Sequence, residues 1–332
     1  MLNHQFRLAQ RPVGFPTHDT FQHTTEEVRE IQDGEILVKI QYISLDPAMR
    51  GWMNDAKSYI APVAIGDVMR ADTVGEVIAS KNPKFAVGDF VNYSFGVQEY
   101  GICDGKGVRK LDTSLAPLPV YLGVLGMAGM TGYFGLLETG ALKDGETVVV
   151  SGAAGAVGLT VGQIAKIKGC KVIGIAGGAE KCKMVVEEFG FDACIDYKSE
   201  NIKKALRTHA PDGIDVYFDN VGGTILDDVL THIRKKARIV ICGAISQYNN
   251  TTAVQGPSNY LSLLVNNARM EGFVIFDFLK QYAQGLEQMG QWVKEGKIKP
   301  QMHIAEGFDS FPETLLMLFE GKNTGKLVLK VA

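Results

Sequence analysis

The stretch from Thr147 to Gly158 constrains the fold of this chain more than any other, and its sequence is T-V-V-V-S-G-A-A-G-A-V-G. The opening T-V-V-V is uncharged and β-branched, as is typical of a strand buried in a parallel sheet. From Ala153 onward the spacing is A-x-G-x-x-G, which is the dinucleotide-binding fingerprint with alanine at the first glycine. Gly155 lets the backbone approach a pyrophosphate, and Gly158 lets helix and strand pack closely. We therefore predict a phosphate-binding turn at the N-terminus of a helix.

A glycine string of this kind also occurs in simple tight turns, so its surroundings decide between the two interpretations. Here strands and helices keep alternating beyond it. The predicted strands are Thr147–Val150, Lys171–Ile175, Ala193–Ile195, Ile214–Phe218, Arg238–Cys242 and Arg269–Ile275. The predicted helices are Gly155–Lys168, Ala179–Phe189, Ser199–Arg207, Thr224–Ile233 and Phe276–Glu295. Six strands with intervening helices indicate a doubly wound parallel sheet, which is the Rossmann-type α/β fold.

The N-terminal third has a different sequence pattern, in which short segments of strand alternation are separated by glycine turns. We predict strands at Glu35–Ile43, Ala71–Ile78 and Asp89–Tyr93, which together suggest a small barrel-like β domain. Leu45 to Ile65 interrupts this pattern with a long, aromatic, proline-marked segment, as functional loops often do. The last strand, Lys326–Val331, has no partner in the nucleotide domain, so we expect it to return to the first domain.

Composition excludes several classes of function. The chain has 332 residues, 46% of them hydrophobic, and a formal net charge of −3. This length and apolar content support a sizeable core and two domains. The charge gives no basic surface for nucleic acid or an anionic membrane.

Two segments bear on membrane targeting. Met1 to Arg11 lacks the apolar centre of a signal peptide. Leu115 to Leu137 is uncharged and long enough to span a bilayer, but prolines and repeated glycines interrupt it. We predict a buried segment between the domains there, and no membrane span.

The five cysteines are dispersed and contain no C-x-x-C pair; they are Cys103, Cys170, Cys182, Cys194 and Cys242. This arrangement argues against a disulfide framework and fits a reducing cytoplasm. It also argues against a structural zinc site, which needs clustered thiolates. The six histidines include no pair at helical ligand spacing. We therefore predict no metal site.

Several motifs along the chain resemble one known family. They are L-D-P-A-M-R-G at 45–51, G-x-V-x-x-S at 75–80, G-M-x-G-x-T-x-Y-F-G-L-L at 126–137, S-G-A-A-G-A-V-G at 151–158, Y-F-D-N-V-G-G at 217–223, C-G-A-I-S-Q-Y-N at 242–249 and G-K-N-T-G-K at 321–326. Together they resemble the medium-chain dehydrogenase/reductase superfamily, and within it the zinc-independent alkenal/one reductases. That branch includes leukotriene/prostaglandin reductases and bacterial curcumin-reductase-like enzymes.

The resemblance implies a division into three segments and a cofactor. The expected segments are a GroES-like substrate domain at 1–125, a Rossmann NADPH-binding domain at 126–296 and a return segment at 297–332. The resemblance also implies a homodimer. The residues expected to contact NADPH are Ala154, Gly155, Ala156, Val157, Gly158, Lys181, Tyr197, Asn220, Cys242, Gly243, Ala244, Ile245, Ser246, Gln247, Phe273, Val274, Ile275 and Asn323.

The residues themselves favour NADPH over NADH. An NAD-binding fold carries a carboxylate about 20 residues past the glycine turn. The second strand here ends in Ile175-Ala176-Gly177-Gly178, without one. Lys181 follows at the next helix start, where it can meet a 2′-phosphate. A solvated surface lysine is the alternative, and the neighbouring Glu180 is a mild objection.

Two other predicted contacts follow strands at the carboxyl edge, where ligands bind in such sheets. Asn220 follows the fourth strand, and either a cofactor contact or an N-cap of the helix beginning at Val221 suits it. Cys242 leaves the fifth strand at the same edge. We do not expect it to be a nucleophile, because no histidine lies nearby in the sequence.

Tyr248 and Tyr59 are the two predicted acid groups. Enone reduction delivers hydride to the β carbon and builds negative charge on the carbonyl oxygen, which then needs a hydrogen-bond donor. We rank Tyr248 first because it lies in the loop at the cofactor edge, while Tyr59 lies in the interrupting loop. An aromatic pocket wall is the alternative role for both. Arg50 is predicted to form a buried interdomain ion pair, and a phosphate or substrate anchor is the alternative.

Three functions remain open at this stage. The first is an NADPH-dependent reductase of the double bond of enones and enals. The second is a quinone reductase, which shares the fold. The third is a catalytically idle NADPH-binding protein with a structural role.

Overall fold

A computed structural model describes residues 1–331. The chain divides into two compact units, one made of Met1–Leu122 with Met302–Ala332 and the other of Gly123–Gln301. In the part that the structure describes, no helix is both long and apolar enough to cross a membrane.

The N-terminal part of the first unit is mostly β, as the alternating pattern predicts. Its strands are β1 (Leu2–Leu8), β2 (Phe21–Glu27), β3 (Ile36–Ser44), β4 (Thr73–Ser80), β5 (Phe90–Tyr93), β6 (Tyr100–Cys103) and β7 (Arg109–Lys110). The interrupting segment contains a short helix, α1 (Ala48–Trp52). Sequence reasoning missed the β1–β2 hairpin and the strands β6 and β7.

The second unit alternates strands and helices. The strands are β8 (Thr147–Ser151), β9 (Lys171–Ala176), β10 (Ala193–Asp196), β11 (Ile214–Asp219), β12 (Ile233–Ile241) and β13 (Arg269–Gly272). The helices are α2 (Met127–Phe134), α3 (Ala156–Ile167), α4 (Ala179–Glu187), α5 (Ile202–His209), α6 (Gly223–Leu230), α7 (Leu261–Val265) and α8 (Tyr282–Lys294).

The C-terminal part of the chain completes the first unit with β14 (Met302–Glu306), α9 (Phe311–Phe319) and β15 (Lys326–Lys330). β15 pairs antiparallel with β3 and parallel with β14. The sheet has the strand order β14-β15-β3-β4-β5-β7, and β6 also pairs with β3. β15 therefore lies in the same sheet as the strands of the N-terminal part.

The second unit has the predicted doubly wound sheet, with strand order β10-β9-β8-β11-β12-β13 and parallel pairing throughout. Chain order reverses between β8 and β11, so the ligand crevice of such a sheet lies beyond the carboxyl ends of these two strands. Val148, Val149 and Val150 are fully buried, as expected for the β-branched run. The predicted α/β class is confirmed.

Two boundaries at the far edge of this sheet differ from the prediction. The sixth strand ends at Gly272 rather than Ile275, and the ring of Phe273 beyond it packs on that of Phe218, with ring centroids 6.3 Å apart. The helix predicted to begin at Phe276 begins only at Tyr282, after a 3₁₀ turn at Ile275–Phe278. The apolar residues in both segments fit the period of a strand and the period of a helix equally well. The sequence alone therefore does not show where the strand ends and the helix begins.

Candidate cofactor site and active site

The glycine turn after β8 has the shape that the fingerprint predicts. Gly152 takes the left-handed conformation at φ +60°. Because Gly152 and not the next residue needs this conformation, alanine is accepted at the next position. A Cβ on Gly158 would collide with the Gly152 carbonyl oxygen, so only glycine fits there. Gly155 is the N-cap of α3. The N–H groups of its first turn, from Ala156 onward, have no intrahelical acceptors and suit a pyrophosphate.

Asp219, at the end of β11, organises the carboxyl edge of the sheet. It is 1% exposed, and its Oδ1 accepts hydrogen bonds from the Ser151 hydroxyl at 2.9 Å and the Tyr217 hydroxyl at 2.8 Å. The same oxygen accepts the amides of Val221 and Gly222 at 3.0 and 2.9 Å. One carboxylate oxygen therefore ties the end of β8 to the turn that starts α6.

Asn220 is bound to the glycine turn and does not cap a helix. Its side-chain amide donates to the Ser151 carbonyl at 2.7 Å, and its backbone amide donates to the Ser151 hydroxyl at 2.9 Å. α6 begins at Gly223 with Gly222 as its N-cap, so the N-cap alternative is wrong. Asn220 instead lies at the switch point of the sheet, where a cofactor contact is expected.

The loop after β12 is built on the same turn by backbone hydrogen bonds. The amides of Cys242 and Gly243 donate to the Asp219 carbonyl at 2.9 and 3.1 Å. The Ile245 amide donates to the Asn220 carbonyl at 3.2 Å. The remaining members of this loop form a 3₁₀ turn at Ile245–Gln247, in which the hydroxyl of Ser246 donates to the Val221 carbonyl.

Tyr248 folds back over this loop. Its hydroxyl oxygen accepts the Ala244 amide at 3.2 Å. A Cβ on Gly243 would lie 2.8 Å from that hydroxyl, so a glycine is needed beneath the ring. A phenol oxygen that accepts a hydrogen bond becomes a better donor through its own hydrogen. The loop thus fixes the position of the Tyr248 hydroxyl against its own backbone.

Cys242 has the environment of a structural thiol. Burial of its sulfur, followed by the nearby Asp219 carboxylate, raises the pKa of Cys242 to about 12. A thiol with this pKa is protonated at neutral pH and is a poor nucleophile. This agrees with the prediction that it does not act covalently.

Residues 273–275 leave the edge strand within the second unit. The Phe273 ring packs so close to Gly135 that a Cβ on that glycine would overlap it. Ile275 is 9% exposed and opens the 3₁₀ turn. Val274 lies between them in extended conformation.

Lys181 lies on the first turn of α4, where β9 ends without a carboxylate, as predicted. Burial and then the charge of Lys198 lower the pKa of Lys181. Two neighbouring cations are stabilised when an anion binds beside them. The pair therefore fits a 2′-phosphate, and Lys198 is a candidate contact that sequence reasoning missed.

A carboxylate on the next strand, Asp196, shapes the turn after β9. Asp196 Oδ1 accepts the amides of Gly178 at 2.8 Å and Lys198 at 3.0 Å. Both hydrogen bonds hold the pKa of Asp196 below its usual range, and the one from Gly178 has the larger effect. Tyr197 is 45% exposed, and a Cβ on Gly177 would lie only 2.8 Å from its hydroxyl oxygen, so the ring packs against that glycine.

The first unit contains the second tyrosine and its surroundings. Tyr59 is 55% exposed and lies within electrostatic range of Arg70. The Arg70 guanidinium stacks on Trp52, with its central carbon 5.4 Å from the ring centroid. Burial lowers the pKa of Arg70, and Tyr59 partly offsets this.

Arg50 is 3% exposed and donates to the carbonyls of Gly14 at 3.0 Å and Pro12 at 3.1 Å. It also donates to the side-chain oxygen of Asn54. These contacts are with neutral groups of the first unit. Through these hydrogen bonds, Arg50 holds the N-terminal segment against α1.

A buried charge network joins the return strand to the loop after β3. Lys326 is 2% exposed, and its Nζ donates to Asp46 Oδ1 at 2.6 Å and to the Leu45 carbonyl at 2.8 Å. Burial raises the pKa of the nearby Asp72, while the Asn92 side chain and the charge of Lys326 act in the opposite direction. Asn323, three residues before Lys326, donates to the Gly325 carbonyl at 3.1 Å.

Among residues 1–331, no group of three or more His, Cys, Asp or Glu side chains is arranged to hold a metal ion. The five cysteines are all free thiols.

A GroES-like β unit and a Rossmann-type sheet with this glycine turn define a two-domain, nicotinamide-dependent oxidoreductase. Residues 4–111 match the family described as the N-terminal domain of oxidoreductase, and residues 156–292 match the family described as zinc-binding dehydrogenase. The NADPH-dependent curcumin reductase of Escherichia coli is 43% identical over 335 residues, covering 99% of this chain and 97% of that protein. Prostaglandin reductase 1 of Rattus norvegicus is 42% identical over 323 residues, covering 96% and 95%.

The structure of CurA from Vibrio vulnificus in complex with NADPH superposes with a TM-score of 0.93 at 44% identity, covering 99% of both chains. This chain belongs to the medium-chain dehydrogenase/reductase family, in the NADPH-dependent branch that contains curcumin, prostaglandin and 2-alkenal reductases. The resemblance of the motifs is therefore confirmed.

Sequence reasoning missed two residues that support the site, Ser151 and Asp219. Both stand at the carboxyl end of a buried strand, and a polar residue in that position is a signal of a ligand-facing edge. Their mutual hydrogen bond spans 68 residues of sequence, so no local pattern predicts it.

Proposed function

We propose that this protein reduces the α,β carbon–carbon double bond of enones and enals with NADPH. The observation that carries the proposal is the loop Cys242–Tyr248, which is bonded to the Asn220 turn at the switch point of the sheet. This loop presents a phenol whose oxygen is held by the Ala244 amide. The family membership supports the same chemistry.

The residues of the second unit suit the parts of NADPH. The first turn of α3 would hold the pyrophosphate, and Lys181, Lys198 and Tyr197 would hold the 2′-phosphate. Asn220 and residues 242–247 and 273–275 would line the nicotinamide end. NADPH, when bound, supplies a hydride to the β carbon of the substrate.

Tyr248 would then act on the carbonyl oxygen of the substrate. Its hydroxyl donates a hydrogen bond as enolate charge develops, and solvent delivers the proton to the α carbon. Tyr59, in the first unit, is the alternative donor. We assign the GroES-like unit to the substrate, with Asn323 as its contact to the cofactor.

The test of this function is an NADPH oxidation assay with a simple enone, an enal and a quinone, with product analysis. Deuteride transferred from labelled NADPH should appear at the β carbon of the saturated ketone. Turnover of the quinone alone would favour a quinone reductase. Binding of NADPH without any turnover would favour the idle NADPH-binding protein.

Lys181→Ala should raise the KM for NADPH by about 10–150-fold and leave the KM for NADH nearly unchanged, because one charge-assisted contact to the 2′-phosphate is lost. Lys183→Ala is the matched control, since Lys183 lies on the same helix and pairs at 3.9 Å with Glu187. Steady-state kinetics with both cofactors measure the effect. Equal changes for NADPH and NADH would contradict the assignment.

We propose that the reaction needs no zinc. Elemental analysis of purified protein should find no stoichiometric metal, and incubation with a chelator should leave the rate unchanged. One zinc per chain, lost together with activity, would disprove this.

We propose a homodimer formed across β13. This strand is the edge of the sheet and is largely exposed, and such an edge needs a covering element. Light scattering across a wide concentration range should give twice the mass of one chain. A monomer mass throughout would contradict the proposal.

The dispersed free thiols suit a reducing cytoplasm, which we propose as the location.

A further inference from the structure

Two cysteines of the second unit lie side by side. Cys182 is on α4 and Cys194 is on β10, and their sulfur atoms are 3.1 Å apart. A disulfide bond is about 2.05 Å long, so the sulfurs need to approach each other by only about 1 Å. The two residues are separated by 12 positions in the sequence, with a helix end and a turn between them.

A glycine on the neighbouring strand makes space for the Cys194 sulfur. Cys182 is 8% exposed. Gly174, on the neighbouring strand β9, has no side chain, and a Cβ there would lie 3.1 Å from the Cys194 sulfur. The contact therefore depends on a glycine at the position that faces Cys194.

In the sequence, the two cysteines lie between the residues assigned to the 2′-phosphate. Lys181 directly precedes Cys182 on the first turn of α4. Tyr197 follows Cys194 by three residues, and its ring lies over Gly177. Any shift of α4 against β10 therefore moves Lys181 relative to Tyr197.

We propose that Cys182 and Cys194 form a reversible disulfide when the protein meets hydrogen peroxide, and that this disulfide weakens NADPH binding at the 2′-phosphate. The second part rests on the proposed function, because it assumes that Lys181 and Tyr197 hold that phosphate. The first part does not depend on it.

The chemistry balances with peroxide as the oxidant. One sulfur attacks an oxygen of the peroxide, the O–O bond breaks, and a sulfenic acid and one water form. The second sulfur then attacks the sulfenic sulfur, which forms the S–S bond and releases a second water. In total, two S–H groups and one H₂O₂ give one disulfide and two waters, and two electrons pass from sulfur to peroxide.

The resting state is the dithiol. Burial raises the pKa of both thiols, and the carboxylates of Asp196 and Glu200 act in the same direction. Protonated thiols react slowly with peroxide, so the disulfide forms only during sustained oxidation. A dithiol reductant restores the original state.

The first experiment detects the bond itself. Protein treated with hydrogen peroxide should lose 2 Da in intact mass, with free thiols falling from five to three. Trypsin cleaves after Lys181, Lys183 and Lys198, so a non-reducing digest should contain peptide 182–183 joined to peptide 184–198. Cys182→Ser and Cys194→Ala should each abolish this product, whereas Cys103→Ser should retain it.

The second experiment measures the effect on the cofactor. The Kd for NADPH, from titration of nucleotide fluorescence, should rise at least about fivefold on oxidation and recover with dithiothreitol. The Kd for NADH should not change, and Cys194→Ala should be insensitive to peroxide.

Failure of the joined peptide to form in wild-type protein would overturn the proposal. A disulfide that leaves NADPH affinity unchanged would overturn its second part. Neither readout requires enone turnover, so an error in the proposed reaction would appear separately, as a protein that binds NADPH and reduces no enone.

Discussion

Tyr248→Phe should lower kcat for an enone by about 10²–10³, the usual effect of removing one hydrogen-bond donor from a developing oxyanion. The substitution keeps the ring that covers Gly243 and removes only the hydroxyl that is bonded to the Ala244 amide. The loss should therefore fall on kcat, with the Kd for NADPH little changed. Steady-state kinetics at saturating NADPH, together with a direct NADPH titration, measure both quantities.

The matched comparison is Tyr59→Phe, assayed on the same enone. If Tyr248 is the donor, Tyr59→Phe should change kcat by less than about tenfold. A larger loss from Tyr59→Phe than from Tyr248→Phe would place the acid in the first unit, near Arg70. A loss nearer tenfold from Tyr248→Phe would indicate that a ribose hydroxyl of the cofactor shares the donation.

Lys326→Met should destabilise the first unit by about 3–5 kcal/mol, because it leaves the Asp46 carboxylate buried without its cation. Asp46 is only 15% exposed at its side chain, and Lys326 supplies an ion pair at 2.6 Å. Urea unfolding measures the change. Trp52 lies in the first unit, so its fluorescence in a Trp292→Phe background reports on that unit.

Lys330→Met is the control on the same strand. Lys330 pairs with Glu306 at 3.4 Å, and both side chains are exposed, so its loss should cost less than about 1 kcal/mol. The double variant Lys326→Met with Asp46→Asn should recover part of the stability, since no charge then remains unpaired. Equal effects of Lys326→Met and Lys330→Met would show that burial of the pair has no energetic consequence.

The architecture of the second unit was predictable because its signals are local. The β-branched run Thr147–Val150, the glycine spacing after it and the alternation that follows are all properties of neighbouring residues. The same holds for the missing carboxylate at the end of β9, which indicates the cofactor preference. The predicted strand end and helix start were wrong where the same apolar residues fit both the strand period and the helix period, as at Phe273 to Phe278.

The supporting contacts of the site were not predictable in this way. Asp219 and Ser151 are 68 residues apart, and Lys326 and Asp46 are 280 apart. Each residue by itself has the ordinary alternative of a solvated polar side chain. Only the pairing of strands brings the partners together, because it excludes water and leaves these buried groups to bond with one another.

The sequence by itself therefore determined the alternation of strands and helices in the second unit, the glycine turn after β8 and the family. Tertiary structure alone decided that Asn220 binds the glycine turn rather than capping a helix, that the Ala244 amide holds Tyr248, and that Cys182 meets Cys194. The physical reason is the range of the interactions. Secondary structure depends on residues a few positions apart, whereas side-chain chemistry depends on contacts that exist only after the chain has folded.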